Sequence, residues 1–179
     1  YYDDVVTEEF CDKLVEKFEA NKEHQFEVSN NDRYKFTEVR LLDHLETYEE
    51  EANNLKDVFL GCIQRYKVDC SIQDVMFPIN VGYENFRMKR YMPDSGDHFG
   101  NHVDVGDYTS ARRFLVFFLY LNDNEGGQTS FPQIGMDVQP KKGRLLMFPP
   151  LWTHLHAGLP PINTPKYIVG SYLHYINEQ

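Results

Sequence analysis

The chain has 179 residues, with 18 Lys and Arg against 28 Asp and Glu, for a formal charge of −10. Its 41% hydrophobic and 15% aromatic content excludes a disordered chain and suits one compact domain spanning 1–179. The acidic balance argues against broad contact with nucleic-acid phosphates or anionic membrane surfaces, because both attract Lys and Arg.

In chain order, the first predicted element is a helix over about 7–20. Phe10, Leu14 and Phe18 recur on one face, Thr7 stands as N-cap, and Glu8 and Glu9 fill the first turn. A second, long amphipathic helix carries Leu45, Tyr48, Ala52, Leu55, Phe59, Cys62 and Tyr66, in steps of three and four. Its acidic start, Glu46, Glu49, Glu50 and Glu51, suits the positive end of a helix dipole. We read the stripe as packing on the protein's own sheet rather than on a coiled-coil partner. After about residue 80, short aromatic and β-branched runs alternate with Gly, Pro, Asn and Asp. They predict strands at 83–91, 98–104, 114–121, 128–131, 136–139, 144–149, 152–157 and 166–175. Eight short strands without intervening helices predict a jelly roll. The expected fold class is therefore α+β, with a jelly-roll core at 81–179 supported by a mainly helical layer at 1–80.

Cys11, Cys62 and Cys70 form neither a C-x-x-C pair nor a zinc spacing, and no apolar run approaches the ~20 residues that cross a bilayer. The start YYDDVVTEEF lacks the basic and apolar regions of a signal peptide. These features set the expectation of a soluble protein in the reducing cytoplasm.

Chemistry concentrates at two places. In His102-Val103-Asp104, a strand would turn the imidazole and the carboxylate to one face. Alone, the triplet is weak, since a surface His near an Asp is commoner than a ligand pair. A third candidate comes from Trp152-Thr153-His154-Leu155-His156-Ala157-Gly158. Two histidines and one carboxylate, with other coordination positions open, form the facial triad of non-haem Fe(II) oxygenases, and zinc is the second candidate metal. His154 and His156 are two apart, so strand parity leaves either as the second histidine. Of the other histidines, His24, His44, His98 and His174 read as structural, with His98 nearest the site by parity. Gly126-Gly127 and Lys141-Lys142-Gly143 read as turns that use positive φ.

Several motifs occur in order: Arg90-Tyr91 leading to His102-x-Asp104; Tyr120-Leu121-Asn122-Asp123; 126–132, GGQTSFP; 140–143, PKKG; and His156-x-Gly158-x-Pro160 before Lys166. With them the stretch from about Arg90 to Tyr175 resembles the Fe(II)- and 2-oxoglutarate-dependent dioxygenases of the prolyl 4-hydroxylase type, the small viral and bacterial members in particular. The resemblance implies a double-stranded β-helix core in which His102, Asp104 and His156 are the catalytic iron ligands. His156 is preferred over His154 because the family's distal ligand precedes a Gly-x-Pro element and lies ten residues before the basic residue, here Lys166. Lys166 is implied to pair with the distal carboxylate of 2-oxoglutarate, with Tyr120 donating to the same group and Tyr91 and Thr129 lining the pocket. The chain between Tyr91 and Gly96 is about two residues longer than the usual prolyl 4-hydroxylase spacing.

The implied cofactors are Fe(II), 2-oxoglutarate and dioxygen, with ascorbate as a candidate reductant. The implied reaction hydroxylates an unactivated C–H bond and releases succinate and carbon dioxide. The carboxylate of Asp104 favours hydroxylation over halogenation, since related halogenases carry a small residue there. The expected substrate is a prolyl residue in a peptide or protein. Alternatives are a free amino acid, another small molecule or a nucleobase, or a metal-binding β-sandwich without catalysis, against which Lys166 weighs. Loop 105–113 places Arg112 and Arg113 where they can contact substrate or stay solvated. Because neutral imidazole binds metal, iron is expected to leave as pH falls below the ordinary histidine value of about 6.5.

Overall fold

The computed structural model describes residues 1–30 and 32–176. Helix α1, Glu8–Ala20, forms as its sequence predicts: the Thr7 hydroxyl accepts the Phe10 N–H at 3.2 Å, and Cys11, Leu14 and Phe18 are buried. Helix α2, Leu45–Asp69, buries Tyr48, Ala52, Leu55, Phe59 and Cys62 along one side. No helix among the described residues is long and apolar enough to cross a membrane.

Between the helices the structure adds a hairpin absent from the sequence reading, β1 (Phe26–Asn30) and β2 (Tyr34–Arg40). Its alternation is disguised because β2 buries the charged Glu38 beside Phe36 and Val39. The predicted 83–91 strand is two strands, β3 (Val81–Tyr83) and β4 (Arg87–Tyr91), separated by a segment that buries Phe86. Then come β5 (His98–His102), β6 (Arg113–Tyr120), β7 (Thr129–Phe131), β8 (Met136–Val138) and β9 (Leu145–Phe148). The predicted 152–157 strand opens instead as a short 3-10 turn, Trp152–His154, so that β10 is only His156–Gly158 before the long β11, Lys166–Tyr175. Gly126, Gly127 and Gly143 take φ of 74°, 67° and 76°, the turn conformations expected of them.

These strands form one curled antiparallel sheet in the order β8-β7-β10-β5-β2-β4-β11-β6-β9, with β1 on β2 and β3 on β11. Ring contacts between Phe131 and Phe148 (4.9 Å) and between Phe118 and His156 (6.2 Å) bridge its two limbs, giving the jelly-roll, double-stranded β-helix architecture. Strand parity then sorts the aromatic run of β6 into two cores. Leu115, Phe117 and Leu119 face the helices, while Val116 and Tyr120 face the interior of the roll. β11 does the same, with Val169 and Leu173 outward and Ile168 and Tyr172 inward.

The helical layer is clamped to the outward face. Phe59 of α2 stacks on Phe117 at 4.9 Å and meets Phe86 edge-on at 5.7 Å. From α1, Glu19 accepts Arg90 Nη1 at 2.7 Å and the Tyr167 hydroxyl at 2.8 Å. Buried Glu51 of α2 is paired by Lys17 at 2.8 Å. The apolar stripe of α2 is thus covered by the chain's own sheet. Cys11 and Cys62 are buried free thiols, and Cys70 is an exposed one.

Phe59→Ala is expected to lower unfolding free energy by roughly 3–5 kcal/mol, and Leu60→Ala on the exposed side by no more than about 0.5 kcal/mol. Equilibrium denaturation compares the two; equal losses would mean that α2 does not anchor the sheet through Phe59.

Candidate metal and cosubstrate site

β5 and β10 run antiparallel with His102 opposite His156, so the two imidazoles meet at the mouth of the roll. β5 ends at His102, and Asp104 lies just beyond it rather than within a strand. Even so, one ligand atom from each of His102, Asp104 and His156 lies within 4.8 Å of the others. His102 Nε2 is 3.4 Å from Asp104 Oδ1, and His156 Nε2 is 3.5 Å from Asp104 Oδ2.

The tautomers follow from the backbone. His102 Nδ1 lies 2.8 Å from the Gly100 carbonyl and His156 Nδ1 lies 3.0 Å from the His154 carbonyl. A carbonyl only accepts, so each Nδ1 carries the proton and each neutral ring turns an Nε2 lone pair toward the carboxylate. Three acceptors therefore converge on one point. His156 Nε2 and Asp104 Oδ2 are buried with no hydrogen-bond partner among the described residues. Acceptors are costly to bury in this state, and a cation between them satisfies all three. The donor set fits a divalent metal, two imidazoles and one carboxylate, with no fourth His, Cys, Asp or Glu in the cluster among the described residues.

The surroundings hold each group in its ligating form. Desolvation lowers His156 from its ordinary value to about 4, against the opposing pull of Asp104. Proton competition at this ring thus begins well below the pH of about 6.5 set by an ordinary histidine. Burial by itself would raise the Asp104 carboxyl. The adjoining His102 and His156 imidazoles and the Tyr172 hydroxyl nevertheless hold it below the usual carboxylate range. Tyr172 donates to Asp104 Oδ1 at 2.7 Å. Phe99 stacks on the His102 ring at 3.7 Å, and Phe148 closes on His156 edge-on at 4.9 Å.

Lys166 opens β11 opposite Tyr91 and is 2% exposed. Among the described residues no carboxylate reaches its ammonium, which lies 5.2 Å and 5.7 Å from the ring centroids of Tyr91 and Tyr120. Burial pushes its pKa down to about 7, with the Lys89 charge adding to the shift. Gly127 makes room for its stem, since a Cβ there would stand 3.1 Å from Lys166 Cδ. Tyr120 and Thr129 share a 2.6 Å hydrogen bond between their hydroxyls, and burial raises the Tyr120 hydroxyl pKa. One pocket is lined by Lys166, Tyr91, Thr129, His102, Asp104 and His156, so the structure brings these sequence-predicted site residues together. Tyr120 stands against that pocket through Thr129.

Several neighbours take different roles from those their positions suggest. Two residues of β10 span three of β5 between Phe99 and His102, a bulge that reverses parity. Phe99 therefore shares a face with His102, whereas His98 turns away to the carbonyls of Gly96 and Asp32. His154 supports His156 through its main-chain carbonyl, while its ring faces Phe148 and the Thr153 hydroxyl. Arg113 is not solvated: it grips Glu84 with two bonds of 2.8 and 2.9 Å and donates to the Asp104 carbonyl at 3.1 Å. Arg112 stays exposed, 3.9 Å from Glu84. Three contributors escape the sequence reading: Tyr172, Glu84 and Lys89. Parity could have found two of them, because Tyr172 is six residues after Lys166 on β11 and Lys89 two before Tyr91 on β4.

The fold and the site define a double-stranded β-helix protein with a two-histidine, one-carboxylate metal cradle and a buried lysine beside it. The sequence pattern of the 2OG-Fe(II) oxygenase superfamily matches residues 86–174, and the chain belongs to that superfamily, whose members use Fe(II), 2-oxoglutarate and dioxygen. Among curated proteins, it is 29% identical to a procollagen-lysine,2-oxoglutarate 5-dioxygenase of Drosophila melanogaster, over 97% of this chain and 24% of the relative. Its human counterpart 2 is 27% identical, over 94% of this chain and 22% of the relative. The chain thus spans about a quarter of the length of these relatives. Among solved structures, the fold is shared with the viral collagen prolyl hydroxylase of Paramecium Bursaria Chlorella virus-1. That match has a TM-score of 0.73 and 19% identity, covering 98% of this chain and 94% of the other. A prolyl hydroxylase from Trichoplax adhaerens, in complex with a hypoxia inducible factor peptide fragment, also has TM-score 0.73. Its identity is 16%, covering 97% of this chain and 81% of the other.

Tyr172→Phe removes one hydrogen bond from the Asp104 carboxylate and should weaken divalent-metal binding by roughly tenfold. Calorimetric titration with Mn(II) measures it; unchanged affinity would show that Tyr172 does not orient the carboxylate.

Proposed function

We propose that the protein is a 2-oxoglutarate-dependent dioxygenase that hydroxylates a prolyl residue of a peptide or protein. The observation that carries this reading is Lys166, an ammonium buried without a carboxylate partner among the described residues, in the pocket that holds the His102, Asp104 and His156 cluster. A metal site that only braced the fold would have no use for it. In this reading His102 Nε2, the Asp104 carboxylate and His156 Nε2 hold Fe(II), and Lys166 takes the distal carboxylate of 2-oxoglutarate. When bound, iron supplies reductive activation of dioxygen: one oxygen atom goes to succinate as carbon dioxide leaves, and the other becomes the substrate hydroxyl.

The chain's own residues do the rest. Tyr91 and Tyr120 shield the ammonium from water, and the hydroxyl pair of Tyr120 and Thr129 stands beside it as the donor set for the same carboxylate. Tyr172 and the Gly100 and His154 carbonyls keep the ligand atoms aimed, and Phe99, Phe118 and Phe148 line a dry wall. The unpaired thiols Cys11, Cys62 and Cys70 support a reducing, cytoplasmic setting.

The Drosophila and human relatives act on lysyl residues by name, but a lysyl target would bring a second ammonium to Lys89, which lines this pocket. Like-charge contact opposes it, and the neutral proline ring meets no such penalty. A free amino acid is the second reading, because its carboxylate would suit the same lysine.

Purified protein with Fe(II) should convert 2-oxoglutarate to succinate and add 16 Da to proline in a proline-rich peptide, read by mass spectrometry. Asp104→Ala or His102→Ala should abolish both; retained turnover in either rejects the assignment. A pH profile addresses Lys166. Its ammonium is present below about pH 7 and lost above it, so 2-oxoglutarate affinity should fall by up to about tenfold per pH unit above that point. Titration between pH 6 and 9 should show the fall in wild type and not in Lys166→Met. A flat wild-type profile would mean the anchor lies elsewhere.

A further inference from the structure

Lys166 is not the sole unpaired ammonium in the interior. Lys89 points inward from β4, two residues before Tyr91, and is 9% exposed. Among the described residues it makes no hydrogen bond and no ion pair. Its Nζ lies instead 4.6 Å from the ring centroid of Phe36 and 5.6 Å from that of Phe99. Glu38 sits directly opposite Lys89 in the β2–β4 register, yet its carboxylate is turned to Arg40 Nε at 3.1 Å. Neighbouring Arg87 and Arg113 share the carboxylate of Glu84, at 3.1 and 2.8 Å. Each of these neighbouring arginines thus contacts a carboxylate, whereas among the described residues Lys89 contacts none. Burial pushes its pKa down and Glu38 restores only part of the shift, so the position costs stability and calls for an incoming anion.

Its location says which anion. Lys89 lines the inner pocket with Lys166, and it also lines an adjoining cleft with His102, Asp104 and Tyr172 that extends outward past Arg87 and Arg113. It stands where the two spaces meet, next to the Phe99 ring that covers His102. The distal carboxylate of 2-oxoglutarate is already served by Lys166 and the other end of that molecule by the metal. The anion at Lys89 arrives from the outer cleft.

We propose that Lys89 anchors a carboxylate of the substrate, so that the favoured substrate carries a carboxylate close to the C–H bond that is oxidised. The inference rests on the oxygenase reading above. The carboxylate has two sources: the main-chain carboxylate of a free amino acid or C-terminal residue, or the side chain of an Asp or Glu beside the reacting residue.

The test measures binding separately from turnover. The protein loaded with Mn(II) and 2-oxoglutarate is titrated calorimetrically with pairs that differ only in charge. These are L-proline and prolinamide, N-acetylproline and its amide, and capped Ala-Pro-Glu-Ala and Ala-Pro-Gln-Ala. Wild type should bind the anionic member of at least one pair about tenfold tighter or more, as expected for a charge-assisted hydrogen bond in a dry site. The pair that responds identifies the source. Lys89→Met should erase the preference and keep 2-oxoglutarate affinity within about twofold, while Lys89→Arg should retain the preference. If Lys89→Met does not fold, the preference in wild type and its retention in Lys89→Arg still decide the matter. No preference in wild type overturns the proposal, as does a preference that survives in Lys89→Met. So does a Lys89→Met variant that loses 2-oxoglutarate affinity, which would make Lys89 a cosubstrate residue. Failure of the oxygenase reading looks different: no 2-oxoglutarate-dependent succinate from the Fe(II) protein with any substrate.

Discussion

The interior of this sandwich is built around polar atoms without polar partners among the described residues. The Nε2 lone pair of His156 and Oδ2 of Asp104 have no hydrogen-bond partner there, and the ammonium groups of Lys166 and Lys89 meet aromatic rings but no carboxylate. Each is costly to bury, and together they far exceed what a fold would keep for stability's sake. The arrangement makes sense as two kinds of seat. Converging acceptors suit a cation, and isolated ammonium groups suit anions.

Holding those atoms in place falls to the rest of the molecule. Main-chain carbonyls at Gly100 and His154 set the tautomers, the Tyr172 hydroxyl aims the carboxylate, and Arg113 bonded to Glu84 pins the Asp104 backbone. Such precision needs a rigid sheet. The helices supply it from the far side, where Phe59 and Glu19 tie α2 and α1 to strands whose opposite faces carry the site, and Glu51 paired with Lys17 ties the two helices to each other. Because successive residues of a strand point to opposite faces, β6 and β11 serve both layers with alternate residues. A change in the helix-facing core is therefore expected to reach the ligands through the strand backbone.

Membership of the 2OG-Fe(II) oxygenase superfamily and this donor geometry agree on the type of chemistry. Substrate is a matter of the outer cleft, and there the charges are informative. Four cations, Arg40, Arg87, Lys89 and Arg113, gather on a protein whose overall charge is −10, and the three arginines pair with only two carboxylates, Glu38 and Glu84. The pocket is a local exception to the acidic surface, as binding a dianionic cosubstrate requires.

Much of this is legible along the chain. The periodicity of Phe10, Leu14 and Phe18, the stripe from Tyr48 to Cys62 and the β texture after residue 80 are local consequences of helix and strand geometry, and they reappear as α1, α2 and the roll. The H-x-D triplet and the spacing from His156 to Lys166 likewise name the residues that meet in the pocket. What the chain alone does not reveal depends on register and on partners distant in sequence. The bulge that turns His98 out and Phe99 in, the hairpin 26–40 with its buried Glu38 and the service of Tyr172 to Asp104 arise only when strands pair. The same holds for the two lysines. Sequence determined that they exist, on strands of the right parity. Only the tertiary structure decided that no carboxylate would reach them, because that depends on where Glu38 and Glu84 turn once the sheet has closed.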